Sequence, residues 1–365
     1  MGAGEAVQGD PLKAVERELE PIKYVKIPGL PSFTGKHDWS FDIKESVVNM
    51  ILIIGGAVGY IGFDCYQYFE PSIQGELPDP IGIPDAIFML CDTLVIFDRV
   101  RNVALVVSHF RSDVTDAEGI KREYMKAAEE IECTMSLLND PRIPQIPQPP
   151  VDLSFKPESN VGKDGYEGFV TQLKHHIKEG DIFQAVPSQR LKRPTSLHPF
   201  NVYRHLRSLN PSPYMFYVNL KDFNVVGASP EMLTKVQDRV AYTHPIAGTR
   251  KRGKTPAEDE ALATELISNI KERAEHVMLV DLGRNDVNRI CKPESVKVDK
   301  LMQIEYYSHV MHIVSNVSGT LRDDKSPFDA FRAIFPAGTV SGAPKIRAVE
   351  LIRGLEKEKR GIYAG

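Results

Sequence analysis

Three stretches of the chain carry apolar residues at the three-to-four spacing of an amphipathic helix. Tyr166, Phe169, Val170, Leu173 and Ile177 form one stripe, with Asp164 placed to cap its start and Gly180 its end. Leu262, Leu266, Ile270, Ala274 and Val277 form a second and predict one continuous helix from Ala261 to Val280. Thr255-Pro-Ala-Glu258 ahead of it reads as a capping box with proline in the first turn. The mixed segment Ile120 to Leu138 predicts a third helix. Short apolar runs bounded by polar residues predict strands at 86–90, 93–97, 103–107, 214–220, 223–227 and 240–246. Helices and strands mix without a repeating βα period or an internal repeat, which predicts the α+β class and not a doubly wound sheet.

The pattern is interrupted by Pro141-Arg-Ile-Pro-Gln-Ile-Pro-Gln-Pro-Pro150. Five prolines in ten residues favour extended polyproline and suit neither a helix nor a sheet interior. The domain boundary is placed there, with an N-terminal region at 1–140, a linker at 141–150 and a second region at 151–365. At 365 residues and 42% hydrophobic, the chain can build one large core or two ordinary ones. A net charge of -4 offers nothing to a polyphosphate chain, so nucleic acid is excluded as a partner. The longest apolar stretch, Ile51 to Phe63, is too short and too glycine-rich to span a membrane. Met1 to Ala6 open no secretory signal, and the four scattered cysteines (Cys65, Cys91, Cys133 and Cys291) read as buried thiols in a reducing compartment, so a cytoplasmic protein is expected.

Two segments imitate nucleotide motifs. Gly55-Gly-Ala-Val-Gly59 follows an apolar run, but its spacing departs from Gly-x-Gly-x-x-Gly and Tyr60-Ile61 is bulky where a helix should start, so a tight turn between strands is expected. Gly248-Thr-Arg-Lys-Arg-Gly253-Lys254-Thr255 matches a phosphate loop letter for letter. Arg250, Lys251 and Arg252 nevertheless occupy positions where small residues let backbone amides curl round phosphate. Asp281, the candidate second nucleotide residue, falls at the end of the expected helix and not on a buried strand. A nucleotide hydrolase is kept only as a minor alternative.

The remaining candidate chemistry is acidic. Glu272 and Glu275 stand three apart and share a helix face. They either form a solvated face with Lys271, Arg273 and His276, or turn inward and hold a cation, for which all-oxygen ligands point to Mg2+. Glu231 follows Pro230 at a strand end and reads as a general acid or as an ordinary turn residue. His312 lies in the apolar run Val310-Met-His-Ile-Val314, as a base or a core histidine, with His309 as its neighbour and competitor. Gly338, Thr339, Ser341 and Gly342 form a loop before a helix expected from Ala343, suited to an anion or simply to helix entry.

Taken together, Gly180-Asp-Ile-Phe-Gln-Ala-Val-Pro-Ser-Gln-Arg190, Pro211-Ser-Pro-Tyr-Met-Phe-Tyr217, Gly227-Ala-Ser-Pro-Glu231, His244-Pro-Ile-Ala-Gly-Thr-Arg250, 272–289, 309–319 and 335–347 resemble the chorismate-utilising enzymes. The resemblance runs in order through almost everything after the linker and is strongest to the anthranilate-forming branch. It implies the fold of that family, two mainly antiparallel β-sheets packed as a sandwich with helices outside. It implies a lyase converting chorismate and ammonia to anthranilate and pyruvate with Mg2+, the ammonia coming from a glutamine amidotransferase partner (component II), and tryptophan as feedback inhibitor. By the same resemblance Glu275 would bind Mg2+ with support from Glu272, and Gly248, Thr249 and Tyr363 would contact chorismate. Glu231 would protonate the departing ring hydroxyl, His312 would assist loss of pyruvate, and Thr339 would orient the substrate. Pro213, Tyr214 and Met215 would touch tryptophan.

Two positions separate the branches. Gln184 stands where isochorismate-forming relatives carry a lysine base, and Ala247 stands where aminodeoxychorismate synthases carry a lysine in Pro-Ile-Lys-Gly-Thr. Aminodeoxychorismate synthesis is the alternative activity, and an inactive fragment that only binds its partner is the alternative of another class. Relative to the family pattern the sequence is expected to be truncated at both ends, with a remnant of the N-terminal regulatory region at 1–140 and an insertion at 36–55. The catalytic region 151–365 would lack its C-terminal end, including a second glutamate ligand, so weak cation binding is expected.

Overall fold

The computed structural model describes residues 6, 8–19, 57–110 and 116–365; the expected insertion at 36–55 lies outside the described residues. Along the chain come α1 (Pro11–Leu19), β1 (Ala57–Ile61), α2 (Tyr66–Phe69), β2 (Ala86–Leu90), β3 (Thr93–Asp98), β4 (Val103–Ser108) and α3 (Ala117–Leu138). There follow β5 (Glu158–Ser159), α4 (Gly162–Lys178), β6 (Gln184–Ala185), β7 (Leu191–Lys192), α5 (Pro199–Leu209), β8 (Tyr214–Asn219) and β9 (Asn224–Ser229). The remainder is β10 (Lys235–Gln237), β11 (Val240–Thr243), β12 (Ile246–Lys251), α6 (Pro256–Ser268), α7 (Ile270–Asn288), β13 (Lys297–Tyr306), β14 (Val310–Thr320), α8 (Pro327–Ile334), β15 (Gly342–Ala343) and α9 (Lys345–Glu356). Every pairing with a resolved register is antiparallel, and the class is α+β.

Of the described residues, those within Leu12–Tyr60 and Ile87–Pro147 form one compact unit, and those within Met1–Pro11, Ile61–Ala86 and Gln148–Gly365 form the other. The chain passes between them inside the proline run. In the first unit β3 and β4 pair from Thr93–Ser108 to Asp98–Val103. The Asp98 carboxylate accepts the Val100 and Arg101 amides, each at 2.9 Å, and so satisfies the turn. Asp116 caps α3 by accepting the Gly119 amide at 2.7 Å, and α3 packs on β4. Of the glycine run expected to form a tight turn, residues 57–59 belong to β1, and Gly55 and Gly56 lie outside the described residues. A Cβ on Gly59 would stand 1.7 Å from the Ile87 carbonyl oxygen, so close approach of β2 requires the glycine.

The second unit is built on a five-stranded sheet in which β14 is central. β13 lies along one edge of β14; β12 and β11 share the other, and β10 extends from β11. Flanked on both edges, β14 buries Met311, Ile313, Val314 and Val317 to 3% exposure or less. Helix α7 lies on this sheet and α8 packs on α7. Val280, Val287, Ile290, Val317, Leu321 and Ile334 meet in the core between them.

Several expectations are corrected here. The predicted helix from Ala261 to Val280 is two helices. Asn269 leaves helical geometry (φ -69°, ψ 116°), and its side chain accepts the Lys271 and Glu272 amides as the cap of α7. The break resets the helical phase, so the stripe read through Ile270, Ala274 and Val277 faces outward, with Ile270 84% exposed. The buried face of α7 is instead His276, Leu279, Val280, Gly283, Asp286 and Val287. Asp281 lies inside α7, not at its end. Helix α4 starts after Val161, which leaves Asp164 in its first turn and not at its cap. Thr255 caps α6 by accepting the Glu258 amide, but Glu258 turns its carboxylate to the Lys254 amide, so the reciprocal half of the box goes one residue earlier. The expected strand 240–246 ends at Thr243, and β12 begins anew at Ile246 after Pro245, which has no amide for a ladder. Helix α9 starts at Lys345, because Gly342 and Ala343 pair with Ala185 and Gln184. Of the cysteines, Cys65 and Cys291 are buried, whereas Cys91 is half-buried and Cys133 exposed.

Candidate active site

The site is assembled where β12, β14 and α7 meet. Gly248 sits at a bulge between Ala247 and Thr249 in the pairing of β12 with β14. Its φ of +71° lies in the left-handed region, and a Cβ there would stand 3.1 Å from the Leu266 side chain and 3.2 Å from the Glu272 carboxylate. The glycine therefore serves both backbone geometry and the close approach of Glu272. Past the bulge, Thr249 is directly across from His312, and its hydroxyl lies 3.0 Å from His312 Nδ1. On the other edge Glu305 is the register partner of His312, and the Tyr307 ring meets the imidazole edge to face at 5.5 Å. Burial pushes the His312 pKa below the ordinary value; a hydrogen bond with the Gly248 backbone and the Glu305 charge work the other way. The neutral imidazole is thus the favoured form. His309, the competitor, is exposed on the turn and held to the Ser308 hydroxyl at 2.8 Å.

Glu231 follows β9 through a turn closed by Ser229, whose hydroxyl donates to the Glu231 carbonyl at 2.8 Å. The Glu231 carboxylate accepts the Thr339 hydroxyl at 2.8 Å. These two side chains line a small cavity with Leu279, Leu282 and Gly283 of α7. Burial raises Glu231 to about 7, against the opposing hydrogen bond from Thr339. Thr339 is carried on a 3-10 turn, Gly338–Val340, that lies against α7. A Cβ at Gly338 would fall 2.3 Å from a terminal methyl of Leu282, so a larger residue there would have to displace that side chain.

Helix α7 connects the two groups. Glu272 is half-buried beside Gly248 and accepts Arg250 Nη1 at 3.2 Å, while Arg250 also binds Glu265 through two nitrogens at 2.7 and 3.0 Å. Glu275 is half-buried one turn on. At about 100° per residue it shares a helix line with Leu279 and Leu282, which line the Glu231 cavity. Glu272 and Glu275 thus occupy the stretch of α7 between the Gly248 bulge and the Thr339 turn, not an open solvent face. Carboxylate oxygens of this kind suit Mg2+, which keeps waters and takes substrate oxygens to complete its shell. Among the described residues no cluster of three or more His, Cys, Asp or Glu is present to form an all-protein cage.

Other candidates lie elsewhere. Tyr363 is exposed in the last turn with the Arg360 guanidinium 6.0 Å from its ring. Pro213, Tyr214 and Met215 are half-buried; Tyr214 and Met215 open β8 and pair with Ser229 and Ala228 at the end of β9, two and three residues before Glu231. The phosphate-loop lookalike has no free amide cradle. The Gly253 amide donates to Asp259 at 2.7 Å and the Lys254 amide to Glu258 at 2.6 Å, so carboxylates take the place that phosphate oxygens would need.

The sequence reading missed three elements that shape the site. Asn269 caps α7, and a capping residue three before Glu272 was a legible signal for it. A buried ion pair joins Lys345 to Asp286 at 2.6 Å, beside the Glu231 cavity. Arg360 and Glu356 form a second buried pair at 2.6 Å. Lys345 and Asp286 are 59 residues apart and leave no local signature, while the four-residue spacing of Glu356 and Arg360 marks an ion pair but not its burial, since charged residues usually read as surface.

The chain is also similar to known proteins. The family model described as chorismate binding enzyme matches residues 3–365. A probable anthranilate synthase component 1 of Schizosaccharomyces pombe is 52% identical over 98% of this chain and 68% of its own length. Anthranilate synthase component 1 of Saccharomyces cerevisiae is 51% identical over 100% of this chain and 68% of its own length. The crystal structure of anthranilate synthase component I from Streptococcus pneumoniae superposes with a TM-score of 0.78 at 36% identity, covering 99% of this chain and 74% of that one. The menaquinone-specific isochorismate synthase MenF of Escherichia coli shares the fold at a TM-score of 0.59 and 17% identity. The chain belongs to the chorismate-binding enzymes and is a homologue of anthranilate synthase component I.

Proposed function

We propose that this chain is the chorismate-converting subunit of an anthranilate synthase, joining ammonia to chorismate and releasing anthranilate and pyruvate as the committed step toward tryptophan. The observation that carries this reading is a pair of opposite proton carriers, one in the turn after β9 that lines a cavity with α7 and one on β14, the strand on which α7 lies. Glu231, raised to about 7, holds a proton near neutrality. His312, lowered by burial, is free to accept one.

In this mechanism Gly248 and Thr249 receive the substrate at the bulge. Glu231 in its acid form gives its proton to the ring hydroxyl, which leaves as water as the ammonia nitrogen bonds to the ring. The surplus proton of the new amine returns to the Glu231 carboxylate. Thr339 orients the acid and the substrate. His312 then takes the ring proton as the carbon–oxygen bond to the enolpyruvyl group breaks with its electron pair going to oxygen, so that the ring becomes aromatic and the departing enolate takes up a proton on its methylene carbon to become pyruvate. Thr249 holds the imidazole through Nδ1 during that transfer. Glu275, with Glu272, would hold Mg2+, which when bound neutralises the ring carboxylate and withdraws electrons from the ring. Tyr363 is assigned a further substrate contact.

Ala247 has no amine with which to attack the ring, which favours direct addition of ammonia over the route to aminodeoxychorismate. Ammonia would come from a glutamine amidotransferase subunit in the cytoplasm, and Pro213, Tyr214 and Met215 would contact tryptophan as inhibitor. No helix among the described residues is long and apolar enough to cross a membrane. Purified chain supplied with chorismate, ammonium and Mg2+ should generate anthranilate fluorescence and stoichiometric pyruvate. Accumulation of aminodeoxychorismate without pyruvate would overturn the assignment.

A further inference from the structure

Arg360 is a guanidinium almost wholly withdrawn from water, its side chain 2% exposed and that of its counter-ion Glu356 7% exposed. Its donors are divided between backbone carbonyls and Glu356. Nη1 donates to the Val340 carbonyl at 2.9 Å, and Nη2 donates to the Val186 carbonyl at 2.9 Å. Nε and Nη2 reach the Glu356 carboxylate at 3.2 and 2.6 Å, and the guanidinium plane lies over the Phe63 ring at 4.0 Å. Glu356 in turn accepts the Ser188 amide at 2.7 Å. Burying such a charge is costly unless its hydrogen bonds are met, and here they are met by the segments on either side of the Thr339 turn. Val340 is the residue after Thr339; Val186 and Ser188 continue the strand β6 that pairs with β15. Below that point the loop is already clamped, by the Val186 amide on the Ser341 carbonyl at 2.9 Å and by Lys345 on Asp286. The turn is also closed from within by the Ser341 hydroxyl on the Ala337 carbonyl at 2.7 Å, and Arg360 adds a tie from outside the turn at the Val340 carbonyl.

We propose that Arg360, set by Glu356, is a positioning residue that fixes the Gly338–Val340 turn so that the Thr339 hydroxyl meets the Glu231 carboxylate. Arg360 touches neither Glu231 nor the reacting atoms. The role rests on the reading of Glu231 and Thr339 as an acid and its orienting partner. A lysine at 360 keeps the charge but, as a single point of attachment, cannot hold two carbonyls and a carboxylate together. The turn would then loosen, and Glu231 would lose the hydrogen bond that favours its ionised form.

The test titrates Glu231 itself, by infrared difference spectra of its carboxyl against Glu231→Gln, in the full chain and in Arg360→Lys, Glu356→Gln, Thr339→Val and Thr339→Val/Arg360→Lys. Arg360→Lys and Glu356→Gln should each move the titration upward in the same direction as Thr339→Val, by up to roughly one pH unit. The double variant should titrate like Thr339→Val alone. The alkaline limb of kcat/KM should follow the same shifts, with kcat falling and KM for chorismate little changed. A lowered melting temperature with an unmoved Glu231 titration would overturn the proposal, as would an additive shift in the double variant. Shifts in the titration without any change in the activity limb would leave the positioning role standing and refute Glu231 as the acid.

Discussion

Glu231 couples stability to activity in opposite senses, and Glu231→Gln exposes both. Its carboxyl is raised from the ordinary 4.5 to about 7 by burial. A carboxyl whose folded value lies above its unfolded value contributes its full stability only below the unfolded value. That contribution is lost as pH rises from about 4.5 to about 7 and is flat beyond. At about 1.4 kcal/mol per pH unit, the gap of about 2.5 pH units corresponds to about 3.5 kcal/mol as an upper bound. Glutamine keeps the shape and can still accept the Thr339 hydroxyl, but it has no charge to bury. Urea unfolding of both chains from pH 5 to pH 8 should therefore show Glu231→Gln gaining relative stability with pH, by roughly 2 kcal/mol over that range. The same variant should lose 10²–10⁴-fold in ammonia-dependent turnover, the usual contribution of a positioned general acid (an order-of-magnitude expectation of about that size). A stability difference that does not vary with pH, or a glutamine variant less stable at pH 8, would refute the claim that this carboxyl is held in an apolar setting.

Three further outcomes follow from the site geometry. Gly248→Ala forces a left-handed φ on alanine at about 1–2 kcal/mol and pushes a methyl toward Leu266 and Glu272; calorimetry should show a lowered melting temperature and weakened chorismate binding, and an unchanged protein would count against the bulge as substrate seat. Asn269→Ala removes the cap of α7 and should cost about 1 kcal/mol in urea unfolding, with a raised Mg2+ requirement because Glu272 sits on that first turn; a neutral effect on both would sink this account. Lys345→Met leaves Asp286 buried without its partner and should cost about 3–5 kcal/mol, much of it recovered in Lys345→Met/Asp286→Asn, since the penalty comes from the stranded charge; equal loss in single and double variants would contradict it.

Much of the fold was legible along the chain. Strands at 86–90, 93–97 and 103–107, the β8–β9 pair and helix α3 form where short apolar runs and helical spacing place them, because these elements depend on neighbours near in sequence. Glu231, Glu272, Glu275, His312 and Thr339 stand out as candidates from their local segments, whereas Gly248 and Thr249 enter as substrate contacts only through the family resemblance. Their grouping was not legible. Thr249 faces His312 only through the register of β12 on β14 across a bulge, and Thr339 meets Glu231 across 108 residues of chain. The helix break at Asn269 shows the same limit on a smaller scale. Apolar periodicity continues through the break, so the pattern extends one stripe, whereas the cap ends it and rotates the next helix until His276, Leu279 and Asp286 face inward. Which charges are buried was decided entirely by tertiary structure. Lys345, Asp286, Arg360 and Glu356 read in sequence like solvated residues; Lys345 and Asp286 are compensated by each other across 59 residues, and the Glu356–Arg360 pair by backbone groups of Val186, Ser188 and Val340 as well as by each other.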